Sequence, residues 1–166
     1  MNARAVLSSM STPSHLSPLL LSEEDRTPAM VTHLSPLADL LLPTLGGLLG
    51  PLLAWLIYRD RSRSLDLQGK EVLNFRLSMW LYGLVVGAVA FIAFSLGLLG
   101  GAVGAAAGSP DLGAFAFLGT FASFFLFFLP ILVVLGIVPF IFMIVGVIRA
   151  SSGQHYRYPL TIRFLR

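Results

Sequence analysis

The stretch RDRSRSLDLQGKEVLNFR, residues 59–76, is a polar island between the apolar parts of this 166-residue chain. An apolar run that begins near Leu34 precedes it. From the island to Ile148 almost every residue is apolar, apart from a Gly/Ser/Pro/Asp break at 104–111. The position of the island therefore predicts how the chain lies in a membrane.

The composition indicates a protein that needs lipid as its solvent. Hydrophobic residues make up 56% of the chain and charged residues 11%, whereas a soluble domain carries about 25% charged residues. The net charge is +3, with Lys and Arg clustered beside apolar runs. This pattern favours the lipid bilayer and its anionic head groups as partners and gives no support for nucleic acid.

The N-terminal residues 1–21 are rich in Ser and Pro and are predicted to form a disordered tail. Pro13 and Pro18 interrupt the continuous apolar core that a signal peptide would need. The acids after Ser22 suit the first turn of a helix, and Pro28 would kink that helix. Residues 22–166 are predicted to form a single membrane-embedded helical domain.

The apolar stretch at 34–58 is long enough to cross a bilayer, which takes about 20 residues. It is broken between Pro43 and Pro51 by two prolines and three glycines. Such breaks are tolerated where protein or water satisfies the freed backbone groups. One discontinuous pass is predicted, with a shallow re-entrant hairpin or two short helices as the alternative.

Two further spans follow the island, at 74–101 and 112–148. A straight helix over the second of these would measure about 55 Å, against a hydrocarbon core of about 30 Å. Kinks at Pro130 and Pro139 are therefore expected. The predicted fold is all-α, a multi-pass transmembrane helical bundle with about three spans.

Charge predicts the orientation of these spans. The break at 104–111 has no Lys or Arg, so the positive-inside rule places it outside. The same rule places loop 59–70 and the interfacial C-terminal segment 153–166 on the cytoplasmic side. The predicted location is a bacterial inner (plasma) membrane. The N-terminus lies outside with three passes and inside with a hairpin. The cations predicted to contact lipid head groups are Arg59, Arg61, Arg63, Lys70, Arg76, Arg149, Arg157 and Arg163.

Polar side chains recur at helical spacing along the second span and form a stripe. One interpretation is the lining of a polar path or docking groove, and the other is anchoring at the head-group level. The members of the stripe are Glu71, Asn74, Ser78 and Tyr82. Asp39 is a carboxylate inside an apolar run, and His33 is placed to pair with it or to titrate near neutral pH.

Glycines recur four residues apart, which lets helix backbones approach closely. Packing within the chain is the first interpretation, and contact between copies in a homo-oligomer or with other membrane proteins is the second. The predicted packing glycines are Gly46, Gly50, Gly83, Gly87, Gly97 and Gly101. At the C-terminus, residues 156–164 alternate in character, as expected of an extended segment lying on head groups.

Catalytic motifs are missing from the sequence: HExxH, GxSxG and a Walker loop are all absent. Without cysteines, thiolate chemistry is excluded. The three histidines have no metal-ligand spacing. No catalytic residue, cofactor or metal site is therefore predicted.

Four strings resemble a known family: EDRTPAMVTHLS from Glu24, GPLLAWLI from Gly50, QGKEVLNF from Gln68 and YRYPLTIRF from Tyr156. Together they are similar to small bacterial membrane proteins of unknown function grouped with the chloroplast inner-envelope import component of the Tic complex. The resemblance covers residues 23–166, departs at Pro28 and Asp39, and implies a relation to a protein-conducting channel.

Three functional hypotheses follow. The first is a non-enzymatic Tic-like scaffold or interaction protein. The second is a transport or translocation component whose polar stripe lines a path. The third, an intramembrane enzyme, needs a paired acid and nucleophile at equal depth, and the sequence offers no such pair.

Overall fold

The computed structural model describes residues 20–43 and 45–166. Residues 1–19 of the predicted tail are therefore outside the described residues. The described ranges contain helices and no β-strand beyond an isolated bridge between Leu20 and Gln154, which confirms the all-α prediction. The elements are α1 (Glu23–Leu34), a 3₁₀ helix (Ser35–Leu40), α2 (Gly46–Tyr58), α3 (Arg63–Ala106), α4 (Pro110–Ser123), a π-helical turn (Phe124–Phe128) and α5 (Leu129–Ser151).

The chain divides into two compact units. The terminal unit contains the described part of Met1–Asn74 together with Met143–Arg166, and the central unit contains Phe75–Phe142. Helices α3 and α5 each contribute residues to both units. The single domain over residues 22–166 stays a prediction.

The central unit is a pair of antiparallel helices. The chain reverses at 107–109, where Gly108 has a φ of +82° that favours glycine. This loop is shorter than the predicted one at 104–111, since α3 continues to Ala106 and Pro110 suits the first position of α4. Across the pair, the ring of Phe94 lies 5.2 Å from that of Phe121.

Two helical stretches are long and apolar enough to cross a membrane, Arg63–Ala106 with 44 residues and Pro110–Ser151 with 42. Of their most apolar windows only 6% and 17% are buried. The core helix of a soluble protein would be mostly buried, so these exposed apolar surfaces indicate lipid contact. The predicted broken span at 34–58 is not confirmed: the described part of this stretch contains the 3₁₀ helix and α2, which has 13 residues.

The long apolar stretch after the reversal contains one irregularity. A π-helical turn, Phe124–Phe128, ends two residues before Pro130. Proline has no N–H to donate, and its ring crowds the carbonyl four residues earlier, which here belongs to the π turn. The helix then continues through Pro139 without interruption.

In the terminal unit, the chain between α1 and α3 folds back on itself as a helical hairpin. A side chain at Gly46 would collide with the backbone of Ala38, and one at Gly50 would collide with the carbonyl of Ser35. The glycines therefore allow α2 to pack directly on the 3₁₀ helix. The backbone geometry is that of the hairpin alternative for residues 34–58, and whether this segment crosses a membrane stays a prediction.

Helix α3 begins earlier than predicted, so the connection after α2 is residues 59–62 and not a loop to residue 70. The hydroxyl of Ser62 caps the helix by accepting the N–H of Leu65 at 3.2 Å. The indole N–H of Trp55 donates to Asp66 at 2.8 Å. Gly69 leaves room for the Trp55 ring, so α2 and α3 meet closely in the terminal unit.

Gly153 lies just after the end of α5. It has a φ of +74°, its N–H donates to Ala150 and the N–H of Gln154 donates to Arg149, which is a Schellman arrangement. The segment after Gly153 was expected to be extended, but the structure differs. It turns at 159–160, where Leu160 has a φ of +59°.

Candidate functional site

His33, in the last turn of α1, is the centre of a buried polar cluster in the terminal unit. Its side chain is fully buried, with Nδ1 2.8 Å from the hydroxyl of Tyr158 and Nε2 2.5 Å from Oε1 of Gln68. The backbone of Gly146 lies against the ring, since a Cβ there would be 2.7 Å from His33 Nδ1. Parts of α1, α3, α5 and the C-terminal segment therefore meet at one imidazole.

The hydrogen bonds of His33 suit a neutral ring. Oε1 of Gln68 can only accept, so Nε2 carries the proton and Nδ1 accepts from the Tyr158 hydroxyl. Burial lowers the pKa of His33 to about 4; the hydrogen bond to Gln68 acts in the opposite direction, and His155 lowers it further. The ring is therefore uncharged at neutral pH and links α1 to the C-terminal segment.

Two residues of the predicted stripe hold the backbone of the C-terminal segment. Glu71 accepts the N–H of Tyr158 at 3.1 Å. The carboxamide oxygen of Asn74 accepts the N–H groups of Phe164 and Leu165 at 3.0 and 2.7 Å, and its Nδ2 donates to the Leu165 carbonyl at 2.8 Å. We call this pair, Glu71 and Asn74, the clamp.

The spacing of the clamp explains why the C-terminal segment turns. Glu71 and Asn74 are three residues apart on a helix, a rise of about 4.5 Å. The six steps from Tyr158 to Phe164 would span about 20 Å if the chain were fully extended. The intervening chain must therefore fold back, and the turn at 159–160 achieves this.

The remaining stripe residues, Ser78 and Tyr82, belong to the central unit, where Ser78 is fully buried and Tyr82 is half-buried. Whether the stripe lines a path or docks a partner stays a prediction.

A wide groove in the terminal unit brings together three of the predicted head-group cations, Lys70, Arg157 and Arg163. Its volume is about 1180 Å³, and Arg166 adds a fourth cationic side chain. Glu71 is the one carboxylate side chain among the lining residues that the structure describes. We call this feature the basic groove.

The other predicted head-group cations lie outside the groove. Arg59 stacks on Trp55 at 5.1 Å, Arg61 lies 5.8 Å from the ring of Tyr58, and Arg149 donates to Gln154 at 2.6 Å. The remaining two predicted cations are Arg63, which is exposed at the start of α3, and Arg76, which is half-buried in the central unit.

Asp39 does not pair with His33 as proposed from the sequence. Its carboxylate accepts the N–H of Gly47 at 2.5 Å, at the start of α2, where the helix dipole favours a negative charge. His33 pairs with Gln68 and Tyr158 instead.

The predicted packing glycines fall into two groups. Gly46, Gly50, Gly97 and Gly101 lie against neighbouring helical segments of their own units, whereas Gly83 and Gly87 face open space. The first group serves packing within the chain. A role for any of these glycines in contact between copies stays a prediction.

Sequence reasoning missed two members of the buried cluster, Gln68 and Tyr158. Gln68 precedes Glu71 by three residues and extends the same stripe by one turn, so its spacing was a usable signal. Tyr158 had no local signal, because its partner His33 is 125 residues away. Among the residues that the structure describes, no three His, Asp or Glu side chains come together to hold a metal ion.

A family model described as the magnetosome magnetite crystal formation protein family matches residues 24–165. The chain therefore belongs to this family, and the resemblance to Tic-like proteins is wrong. The four strings behind that resemblance lie in α1, α2, α3 and the C-terminal segment. No curated protein and no solved structure matches the chain.

Proposed function

We propose that this member of the magnetosome magnetite crystal formation family is a non-enzymatic integral membrane protein that acts as a scaffold during crystal formation. The observation that carries the proposal is the family match over residues 24–165, joined to two long helices with exposed apolar surfaces. The membrane location follows from both, and the scaffold role from the contacts of the terminal unit.

Two full spans supply the simplest topology, one in α3 and one in the stretch 110–151. The hairpin before them is proposed to enter the bilayer without crossing it, because its tip exposes Leu40 at 81% and Leu41 at 84%. Both termini and the basic residues then share the cytoplasmic side, as the positive-inside rule requires. We propose a bacterial inner membrane or the magnetosome membrane as the location.

The distribution of charge favours an action on crystals through partners or lipids over binding of mineral by the apolar part of the chain. Between residues 77 and 148 Asp111 is the one carboxylate in the sequence, so this part offers few anionic ligands for iron cations. The charged groups are concentrated in the terminal unit, which supports an influence on crystals through partners or lipids on that side.

A transport role along the polar stripe is the competing proposal. It would require an open path past Glu71 and Asn74, and both side chains are hydrogen-bonded to the C-terminal segment. Purified, folded protein in liposomes should therefore pass no current. A conductance abolished by Glu71→Ala would favour transport over the scaffold.

Deletion and complementation in a magnetite-forming bacterium test the scaffold proposal. We expect deletion to change the size distribution of crystals seen by electron microscopy, and the intact chain to restore it. Asn74→Ala is expected to reach the membrane fraction at normal levels yet restore the crystals incompletely. Unchanged crystals after deletion would overturn the proposal.

Topology is tested separately by cysteine accessibility, since the chain has no native cysteine. Cysteines introduced at Ser64 and at Gln154 should react from the cytoplasmic side, and one at Ser109 from the opposite side. Labelling of Ser64→Cys from the non-cytoplasmic side would refute the orientation.

A further inference from the structure

We propose that the basic groove of the terminal unit is a binding site for the phosphate group of an anionic phospholipid. The proposal rests on the membrane location proposed above, and otherwise on the geometry, charge and surroundings of Lys70, Arg157, Arg163 and Arg166. It assigns one defined lipid site, which differs from a general attraction between surface cations and head groups.

The guanidinium groups that line the groove have no counter-charge of their own. Lys70 pairs with Asp66 at 2.7 Å. Among the described residues, Arg157, Arg163 and Arg166 make neither an ion pair nor a hydrogen bond. Three like charges around one cavity repel each other, so an anion bound between them would relieve an existing repulsion.

The neighbouring groups show the effect of this excess charge. Burial lowers the pKa of His155, which also lines the groove, and the positive charge of Arg157 lowers it further. Glu71, the one carboxylate side chain in the described lining, already accepts the N–H of Tyr158. The groove therefore has an excess of positive charge, because the carboxylate of Glu71 is hydrogen-bonded to the backbone of Tyr158.

Guanidinium groups match phosphate well, because the planar fork donates two parallel hydrogen bonds to two phosphate oxygens. The groove volume of about 1180 Å³ exceeds the roughly 300–1,000 Å³ of ordinary ligand pockets. A phosphate with its glycerol and the start of two acyl chains fits such a space better than an isolated ion does.

The surroundings identify lipid as the source of the phosphate. Between Arg157 and Arg166 the C-terminal segment exposes apolar side chains, Leu160 at 67%, Ile162 at 40% and Phe164 at 50%. Cations that face a groove and apolar side chains that remain exposed on the same short segment suit the boundary between head groups and acyl chains. Free phosphate would satisfy the cations only.

The test uses the full chain purified in detergent and titrated with short-chain phosphatidic acid, phosphatidylglycerol and phosphatidylcholine, with retained lipid counted by native mass spectrometry. Wild-type protein should hold the two anionic lipids more tightly than phosphatidylcholine. The double variant R157Q/R163Q loses two forked donors and should weaken anionic lipid binding about a hundredfold.

The matched control is R59Q/R61Q, which removes the same charge from the connection between α2 and α3. It should weaken binding by less than about fivefold, as expected for exposed cations. Equal losses in the two double variants, or no loss in either, would overturn the proposal. Circular dichroism checks folding, and R163Q/R166Q replaces the first variant if that one fails to fold.

Inorganic phosphate forms the last arm of the titration. Displacement of lipid by phosphate at comparable concentrations would assign the groove to a free anion and overturn the lipid assignment. Failure of lipid selectivity, with normal membrane insertion and normal complementation of crystal formation, would refute this inference alone and leave the proposed function standing.

Discussion

Removal of the Asn74 carboxamide should release the C-terminal segment from α3. In the folded chain this side chain makes three hydrogen bonds to the backbone of Phe164 and Leu165, between 2.7 and 3.0 Å. A neutral hydrogen bond contributes about 0.5–1.5 kcal/mol. Because the freed backbone groups are part-buried and water can replace some of the bonds, we expect Asn74→Ala to cost about 2 kcal/mol.

Hydrogen exchange measures this change directly, because two of the three bonds protect backbone N–H groups. A loss of about 2 kcal/mol corresponds to roughly thirtyfold faster exchange at Phe164 and Leu165 when local opening controls the rate. The measurement is exchange of the full chain in detergent or nanodiscs, followed by mass spectrometry of the C-terminal peptides.

An internal control is available in the same molecule. The N–H of Gln154 donates to Arg149 at the end of α5, away from the clamp, and its exchange should not change. Equal acceleration at Gln154 would indicate general unfolding, and unchanged exchange at Phe164 and Leu165 would refute the clamp.

Three further predictions follow from the structure. Burial holds the pKa of His33 near 4, below its unfolded value of about 6.5. Between these two values the unfolded chain binds more protons than the folded chain. The contribution of neutral His33 to the free energy of unfolding is therefore fully present above pH 6.5, and it should fall by about 3 kcal/mol as the pH approaches 4. Chemical denaturation across this range checks the loss, which His33→Gln should reduce strongly while the smaller contribution of His155 remains. Gly97→Val should destabilise the protein because Gly97 packs against Thr120, whereas Gly87→Val should be neutral in a thermal melt because no neighbour lies within 4 Å. Trp55→Phe keeps an aromatic ring, although a smaller one, and loses the hydrogen bond to Asp66. Denaturation should show a cost of about 1–2 kcal/mol, and an unchanged midpoint would count against that bond.

The helices themselves were largely readable from the sequence. The acids after Ser22 mark the start of α1, Gly153 marks the end of α5, and the apolar runs mark two long helices. Each of these signals acts between residues a few positions apart, so no knowledge of the fold is needed to interpret it. The first apolar segment was harder, because its prolines and glycines fit a broken pass and a hairpin equally well.

The resemblance to Tic-like proteins failed for a related reason. The string QGKEVLNF, beginning at Gln68, contributes to that resemblance, yet its polar residues make hydrogen bonds within the terminal unit. Polar residues near the start of a helix can therefore serve to bind a C-terminal segment, and their presence alone does not identify a family. The match across residues 24–165 uses most of the chain and so identifies the family where short strings did not.

The sequence by itself indicated that the chain needs lipid around it, where the long helices lie and which orientation to predict. Hydropathy and charge give these signals because they act residue by residue along the chain. The tertiary structure decided what the polar residues do. Glu71 and Tyr158 are 87 residues apart, and His33 and Tyr158 are 125 apart. Such pairs have no common local pattern, since their hydrogen bonds form only when the folded chain brings the C-terminal segment back to α1 and α3.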